Sequence, residues 1–392
     1  MTVITPSVPH PLSGASSVLF YWYTYALKLA GYQILNILVI GDTRDVAKVE
    51  EYKKTIGENE SFKVEYIVSE TPIVYNKWIG PRAVEEKLVK QIAKLADDFQ
   101  TEVLTCFDLT SAWAASACKA PFRIVWLGDL NFQSFYYHAV YALQRGEYRL
   151  AATNFIYSFP WRRRYAEALK GVSKIVVSSG SSVKALAKLG LSSVYLPYPW
   201  PSEVAVGRKP KNTPTFAFFG NLGALGSLSS LGCLVNEIYP GLVKEFGKNK
   251  FVIKIFGSGE MPTFVQRAIH GADEIQSVGF VPNLKAELAA CHAMIAPIEA
   301  PVGNRSRIVT AMAYQLPVVT HINAAEGNPD LKNDINCCLG ANADAMVKSL
   351  SRLVSDRHYA NEIAKNGSQL YLDKFHPARA CPVFLKAIES TI

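Results

Sequence analysis

The chain has 392 residues, of which 49% are hydrophobic and only 19% are charged. This composition is too apolar for a disordered protein, and the length suits two domains of ordinary size. The formal net charge of +8 favours anionic partners, such as nucleotides, nucleic acid or an acidic membrane face, without choosing among them. The seven cysteines form no CxxC pair, which disfavours a disulfide framework or a zinc site and indicates a reducing compartment.

Two features of the sequence argue against export and membrane spanning. Residues 1–14 have no basic stretch ahead of an apolar run, so they do not resemble a signal peptide. The two longest apolar stretches, 18–40 and 216–235, are broken by polar residues or by Gly and Ser, and each suits a strand and a helix joined by a turn. We therefore expect no transmembrane helix and a cytoplasmic protein.

Short apolar runs alternate with helical patterns, which predicts βαβ units and parallel sheets. In the first half the patterns predict strands at 34–41, 62–68, 102–107, 123–127 and 174–178, with helical segments between them, for instance at 83–99. A stretch rich in proline and charge, 196–214, predicts the linker between domains. In the second half they predict strands at 215–219, 251–256, 274–281, 293–297 and 318–321, a Gly/Ser loop at 220–230, and helices at 231–246, 284–291, 307–315 and 343–355. Two doubly wound domains in tandem would bind ligands at the carboxyl ends of their strands.

The most informative run is Gly303-Asn304-Arg305-Ser306-Arg307, which joins a predicted strand to a predicted helix. The free N–H groups at the start of a helix attract anions, and Asn304 or Ser306 could cap them. Gly303 lets the backbone approach a ligand, while Arg305 and Arg307 add two permanent cations. This combination suits a diphosphate, although an ordinary connection with two solvated arginines would show the same pattern.

From residue 216 to about 376 the chain resembles the donor domain of group-1 glycosyltransferases (glycosyltransferase family 4), whose order and spacing of motifs it follows. The matching segments are FFGNLG at 218–223, IFGSGE at 255–260, VGFVPNLKAELAACHAMIAPI at 278–298, PVGNRSRIVTAMAYQLPVVTH at 301–321, AAEG at 324–327 and NGSQLYLDKF at 366–375. The first half resembles the family more weakly, at PHPLSGAS (9–16) and IVVSSGSSVKAL (175–186).

The resemblance implies an α/β protein of the GT-B fold, with two Rossmann-like domains facing each other across a cleft. An N-terminal acceptor-side domain would span 1–200 and a nucleotide-sugar donor domain 201–375, with a helix at 376–392 returning to the first domain. It also implies a retaining transfer of a sugar to a hydroxyl of a glycan or lipid-linked acceptor, in polysaccharide or glycoconjugate biosynthesis. A UDP- or GDP-sugar would be the co-substrate, with no further cofactor.

The resemblance also implies roles for single residues. Arg305 and Arg307 would face the donor diphosphate as catalytic cations, and Gly14 would lie in the N-terminal loop that closes on the sugar-phosphate. Phe280 and Val281 fall where the backbone holds the nucleobase. The other expected donor-binding residues are glycines and polar side chains of nearby loops: Asn221, Gly257, Gly303, Asn304, Ser306 and Thr310.

Two departures from the family pattern leave a second interpretation open. The family usually carries an E-x7-E pair, and this chain has Val302 and Thr310 at those positions. The loop after the first strand of the donor domain carries Asn221 and Ser227 where the family often has Arg and Lys. The alternative is a non-catalytic sugar-nucleotide-binding subunit of a glycosyltransferase complex.

The sequence also bears on metal and acceptor. Metal-dependent sugar transferases commonly bind Mg²⁺ or Mn²⁺ with an Asp-x-Asp pair. This pair does not occur in the chain, so we predict no metal site and metal-independent transfer.

Asp129 follows a predicted strand of the first domain and is a candidate for binding or activating the acceptor. The plain alternative for Asp129 is a helix cap.

A basic aromatic segment lies in the first half. Residues 157–165 read YSFPWRRRY, and 132–141 are also rich in aromatic residues. Such a surface could rest on an anionic membrane, which would place the protein peripherally on the inner face, because each nearby Arg adds about 1 kcal/mol of attraction. The alternative is an amphipathic helix with a buried aromatic face; nucleic acid is not expected, because no binding module is evident.

Overall fold

The computed structural model describes residues 1–12, 14–69, 75–76, 80–81, 84–204 and 207–392. The chain divides into two compact units, one made of 1–201 with 377–392 and the other of 202–376. Each unit has its own core of buried apolar residues around a sheet. The chain passes into the second unit inside the stretch that the sequence marks as a linker.

A parallel sheet of seven strands forms the centre of the first unit. The strands of this unit are β1 Thr2–Thr5, β2 Ile34–Ile40, β3 Phe62–Val68, β4 Tyr75–Asn76, β5 Gly80–Pro81, β6 Val103–Phe107, β7 Phe122–Leu127, β8 Lys174–Val177 and β9 Val194–Tyr195. The order in the sheet is β3-β2-β1-β6-β7-β8-β9, and β4 pairs with β5 separately. All neighbours in the large sheet are parallel, and the order reverses between β1 and β6.

Helices connect these strands and bury one face against the sheet. They are α1 Ala15–Leu29, α2 Val46–Ile56, α3 Glu86–Asp98, α4 Asp108–Ala114, α5 Asn131–Gln144, α6 Tyr148–Ala168 and α7 Gly180–Ala187. In α3, for example, Leu88, Ile92 and Ala96 are buried at intervals of four residues, as expected for an amphipathic helix. The two long helices α5 and α6 pack on each other through aromatic rings such as those of Phe135 and Trp161, 6.3 Å apart.

The second unit repeats the plan with a parallel sheet of six strands. They are β10 Thr215–Phe219, β11 Val252–Phe256, β12 Ile275–Gly279, β13 Ala293–Ala296, β14 Val318–His321 and β15 Cys338–Gly340. The order β12-β11-β10-β13-β14-β15 reverses direction between β10 and β13. Both units are thus Rossmann-like, and each has a switch point where doubly wound sheets bind ligands.

The helices of the second unit are α8 Leu225–Cys233, α9 Tyr239–Phe246, α10 Thr263–Ala268, α11 Leu284–Ala289, α12 Ser306–Ala313, α13 Ala324–Gly327, α14 Ala343–Ser355 and α15 Arg357–Leu370. The last helix, α16 Pro377–Glu389, belongs to the first unit. There the ring of Phe384 lies 4.1 Å from that of Tyr23 on α1. Of the helices in the described ranges, none is long and apolar enough to cross a bilayer.

One sequence prediction about local structure was wrong, and one strand was missed. The segment 220–230 was expected to be a loop, but α8 begins at Leu225, because the small side chains of Ser227 and Ser230 are fully buried there. The Ser230 hydroxyl donates to the Gly226 carbonyl at 2.6 Å, which satisfies it inside the helix. Strand β1 was not predicted, since four buried residues in a row show no periodicity.

Candidate functional site

The residues expected to bind the donor come from loops at one edge of the second sheet. Strands β10 and β13 are neighbours in this parallel sheet, so the loops that follow them leave the sheet side by side. The first loop leads into α8 and the second into α12. The loops after β11 and β12 lie on the other side of β10 at the same edge.

Arg307, in the first turn of α12, reaches across to α8. Its Nη2 donates to the hydroxyl of Ser227 at 2.6 Å, and its guanidinium carbon lies 5.3 Å from the centre of the Phe218 ring. Its Nη1 is buried, and no other group in the described parts of the chain forms a hydrogen bond with it. A buried donor without an acceptor is costly, so an acceptor supplied by a ligand would stabilise this arrangement.

Electrostatics at this point also favour an anion. Burial and, to a smaller extent, the charge of Arg305 beside it lower the pKa of Arg307 to about 9. Arg307 nevertheless remains a cation at neutral pH, because its guanidinium group holds its proton strongly. Two neighbouring cations in a partly dry site repel each other, and a bound diphosphate would remove that cost.

A glycine makes the approach of Arg307 possible. Gly220 follows β10 with φ of +142°, and a Cβ built on it would lie 2.7 Å from the guanidinium carbon of Arg307. A larger residue here would therefore strain the backbone and force the Arg307 guanidinium to move. Gly226 lies near Arg305, but less closely: a Cβ built on it would be 3.4 Å from the Arg305 guanidinium.

The loop after β10 is held by a short network of hydrogen bonds. The Ser227 hydroxyl that accepts from Arg307 donates in turn to the carbonyl of Asn221 at 2.5 Å. The Asn221 side-chain oxygen accepts from the Gly223 N–H at 3.0 Å, which fixes the turn. At Gly257 a Cβ would lie 2.1 Å from the Gly220 carbonyl oxygen, so this turn needs glycine for close backbone contact.

The start of α12 differs from the sequence prediction. Arg305, rather than Asn304 or Ser306, occupies the N-cap position, and within the described residues its side chain makes no capping hydrogen bond. Ser306 is the first helical residue. Gly303 has φ of +72°, a left-handed conformation that suits glycine. The N-cap side chain therefore leaves the first backbone N–H groups of α12 without a capping hydrogen bond within the described residues, next to Arg305 and Arg307 in the chain.

The other expected donor residues lie along the same edge. The Gly257 N–H donates to the Gly279 carbonyl at 3.0 Å, which joins the turn after β11 to the end of β12. Phe280 and Val281 follow directly, and Phe280 is 78% exposed. Thr310 lies one turn along α12 from Ser306. By contrast, Val302 is only 1% exposed and belongs to the core.

Two expected residues lie in the first unit. Gly14 has φ of 78° and precedes α1, at the rim of a cavity of about 500 Å³ that is also lined by His10 and by Glu51 of α2. Asp129 is exposed and lies two residues beyond the end of β7. Asp129 therefore lies just beyond the carboxyl end of a parallel strand, and Gly14 lies in the segment that leads from β1 into α1.

The sequence did not point to Asp108, which starts α4 directly after β6 and therefore lies at the switch point of the first sheet. Its φ of +70° is unusual for a residue with a side chain. Burial raises its pKa, and the carboxylate of Asp129 adds to the effect. Nothing in the pattern VLTCFDL marks Asp108, because backbone conformation is not visible in a lone aspartate. Gly220 was seen only as part of the FFGNLG segment.

Over the ranges that the structure describes, no group of three or more His, Cys, Asp or Glu side chains could hold a metal ion. All seven cysteines are free and buried. At the start of α12 the cationic groups are Arg305 and Arg307, and guanidinium donors can bind a diphosphate through two parallel hydrogen bonds.

A protein-family model matches most of the second unit. Residues 213–356 match the family described as Glycosyl transferases group 1. They form a group-1 glycosyltransferase domain. This match confirms the resemblance recognised in the sequence, and the group-1 glycosyltransferase domain includes all the loops described above for the second unit. No curated protein matches the chain by sequence.

Solved structures share the fold of the whole chain. HepE of Anabaena, in complex with UDP, has 13% sequence identity and a TM-score of 0.68, with 99% of each chain covered. A glycosyltransferase of Rickettsia africae has 15% identity and a TM-score of 0.66, covering 100% of this chain and 98% of that one. TarM of S. aureus has 10% identity and a TM-score of 0.69, with 98% of each chain covered. The fold that contains the group-1 glycosyltransferase domain is therefore GT-B, as predicted.

Proposed function

We propose that the protein is a retaining, hexosyltransferase-like glycosyltransferase that moves a sugar from a nucleotide sugar to a hydroxyl of a glycan or lipid-linked acceptor. It would act in polysaccharide or glycoconjugate biosynthesis, in the cytoplasm at the inner face of the membrane. The single observation that carries the proposal is the buried Arg307 beside Arg305 at the switch point of a group-1 glycosyltransferase domain.

The donor diphosphate would occupy the space in front of the two arginines. Arg307 Nη1 then gains the acceptor that it lacks within the described residues, and the repulsion between Arg305 and Arg307 is offset. The uncapped N–H groups of α12 would add partial positive charge. Asn221, Gly257, Phe280 and Val281 would line the same edge toward the sugar and the base.

In the proposed reaction the acceptor oxygen attacks the anomeric carbon on the face from which the diphosphate leaves. The bond from the anomeric carbon to the diphosphate oxygen breaks, and the acceptor proton passes to an oxygen of the leaving group. The protein then contributes positioning and charge stabilisation. Asp129, from the first unit, is the proposed contact for the acceptor hydroxyl.

The donor is proposed to be a UDP- or GDP-sugar. HepE has been solved with UDP and with UDP-glucose, which favours uridine. A thermal-shift panel of UDP, GDP, ADP and their sugars would identify the base and narrow the list of sugars. Stabilisation of this chain by one base only is the expected result; no stabilisation by any of them would count against a donor site.

The deciding experiment is Arg307→Ala, with Arg267→Ala as the matched control. Arg267 is an exposed arginine on α10 of the same unit, so the control removes the same charge from a solvent-exposed position outside the proposed set of donor-binding residues. Loss of a charge-assisted contact to the diphosphate costs about 1.5–3 kcal/mol, or about one to two decades in the rate of transfer. Wild-type kinetics in a folded Arg307→Ala protein would refute the assignment.

A second candidate function is that of a non-catalytic sugar-nucleotide-binding subunit of a glycosyltransferase complex. The observation in its favour is Val302, which replaces the first Glu of the family pair and is buried in the core, where it cannot contact a ligand. Donor hydrolysis by the purified protein separates the two candidates. A transferase shows slow background cleavage of the nucleotide sugar, whereas a binding subunit takes up the nucleotide and leaves it intact.

A further inference from the structure

Exposed apolar side chains concentrate on the helical hairpin α5–α6 of the first unit. Of the 18 exposed large apolar side chains in the described residues, seven lie on these two helices. Five of them are called the hairpin ridge here and are between 45% and 70% exposed: Tyr136, Tyr148, Phe155, Ile156 and Phe159. Single exposed apolar residues are common on proteins, but a contiguous group marks a binding surface.

The hairpin ridge is continuous along one side of α6. Tyr148, Phe155 and Phe159 are spaced by seven and four residues, so they share a helix face, and Ile156 lies beside them. The opposite face of α6 is the buried one and carries Trp161. Rings link the ridge to α5: the Phe155 ring lies 5.1 Å from that of Phe159 and 6.4 Å from that of Tyr136.

Cations border the ridge. One turn beyond Phe159, on the same side of α6, lie Arg162 and Arg163, and Arg149 follows Tyr148 at the other end. All three are exposed. Helices α5 and α6 together contain four arginines, one glutamate, and neither lysine nor aspartate. The surface therefore combines aromatic groups with an excess of positive charge.

We infer that the hairpin ridge is the surface with which this protein lies on an anionic lipid bilayer. Phenylalanine and tyrosine enter the interface between headgroups and acyl chains, and the arginines bind lipid phosphates around them. A second copy of this chain is a poorer occupant, because a two-fold contact through the ridge would bring the arginines of both copies together. The inference rests on the proposed function only in that a lipid-linked acceptor would be met at such a surface.

A fluorescent label tests the orientation directly. All seven native cysteines are buried, so Ile156→Cys provides one accessible thiol for a polarity-sensitive dye. Leu29→Cys is the matched control, at a 69% exposed leucine of the same unit on α1. With vesicles of phosphatidylglycerol and phosphatidylcholine we expect a blue shift at position 156 and none at 29. Equal shifts at both positions, or none at 156, would overturn the inference.

Vesicle sedimentation tests the two contributions separately. Phe155→Ser/Phe159→Ser should weaken binding to the anionic vesicles about ten- to thirtyfold, because about half of each ring would no longer enter the interface. Arg162→Gln/Arg163→Gln should weaken it by a similar factor at low salt only. The controls are Leu29→Ser/Val383→Ser and Lys90→Gln/Lys94→Gln, which remove exposed apolar or basic residues elsewhere in the first unit.

The outcomes distinguish lipid binding from the proposed function. Each variant is also measured for stabilisation by UDP and GDP, which should equal that of the wild type, since the ridge lies outside the donor unit. Vesicle binding without nucleotide binding in the wild type would defeat only the proposed function. If Phe155→Ser/Phe159→Ser and Arg162→Gln/Arg163→Gln both bound vesicles as tightly as the wild type, only this inference would be defeated. A change from dimer to monomer in sedimentation velocity with no change on vesicles would also defeat it, and would assign the ridge to a second copy.

Discussion

Replacing Gly220 with alanine should displace Arg307 without touching any charge. The new Cβ would lie 2.7 Å from the guanidinium carbon and from Nη2 of Arg307, a distance that real Cβ atoms do not sustain. The backbone of Gly220, with φ of +142°, leaves little room for relief. The arginine must therefore move away from Ser227 and from the proposed diphosphate position.

The expected loss follows from the contact that is displaced. A charge-assisted hydrogen bond contributes about 1.5–3 kcal/mol, so the dissociation constant of the nucleoside diphosphate should rise about ten- to 150-fold. The strained backbone adds a separate cost of about 1–3 kcal/mol to the folded state. These two effects have to be measured apart.

Calorimetric titration with the preferred nucleoside diphosphate measures the affinity, and urea unfolding measures the stability. Gly271→Ala is the control, because Gly271 lies in the same unit with φ of +79° and nothing within 4 Å of its Cβ position. It should lose stability and keep its affinity. Gly220→Ala should lose both.

A double-mutant cycle decides whether the effect passes through Arg307. If it does, Gly220→Ala should weaken binding strongly in the wild type and hardly at all in an Arg307→Ala background. An equal loss of affinity in both backgrounds would refute the reasoning. So would wild-type affinity in a folded Gly220→Ala protein.

Three other predictions address different contacts. Ser227→Ala removes the acceptor of Arg307 Nη2 and should lower the free energy of unfolding by about 1–3 kcal/mol, more than Ser229→Ala, whose hydroxyl makes only a 3.4 Å bond; equal losses would contradict it. Because burial and Asp129 raise the pKa of Asp108 above 3.8, its ionisation lowers stability as pH rises beyond that value. Asp108→Asn should therefore stabilise the protein in urea at pH 7 more than at pH 4, and a pH-independent difference would argue against this. Transfer should persist in EDTA, and a complete loss that Mg²⁺ restores would show metal dependence.

The class of fold followed from the sequence because strands buried on both faces are continuous apolar runs. The fully buried run at 215–219 was predicted with the bounds that the structure has, Thr215–Phe219. The strand Phe62–Val68 was also predicted with its observed bounds, although it lies at the edge of its sheet and its first residues alternate between buried and exposed. Helix α14 was equally clear, because its buried residues recur every three or four positions over its 13 residues. Segments without such a period were missed, as β1 and the first turns of α8 show.

Sequence order alone also suggested the arginine cluster, since glycine and two cations follow a strand and open a helix. The capping residue was not predictable in the same way. Asn304, Arg305 and Ser306 lie at adjacent positions, and which of them takes the N-cap depends on where the chain turns into α12.

Local patterns in the chain were enough to indicate the kind of chemistry, which is that of parallel sheets, a glycine-opened loop and two guanidinium groups. Which of these groups come into contact depends on the folding of the whole second unit. Ser227 and Arg307 are 80 positions apart in the chain. They touch because β13 pairs with β10 and not with β12, the strand that precedes β13 in the chain. That pairing, together with the missing side chain at Gly220, determines where the Arg307 guanidinium lies. Pairing between distant strands depends on the packing of the whole sheet, so no local pattern could have shown it.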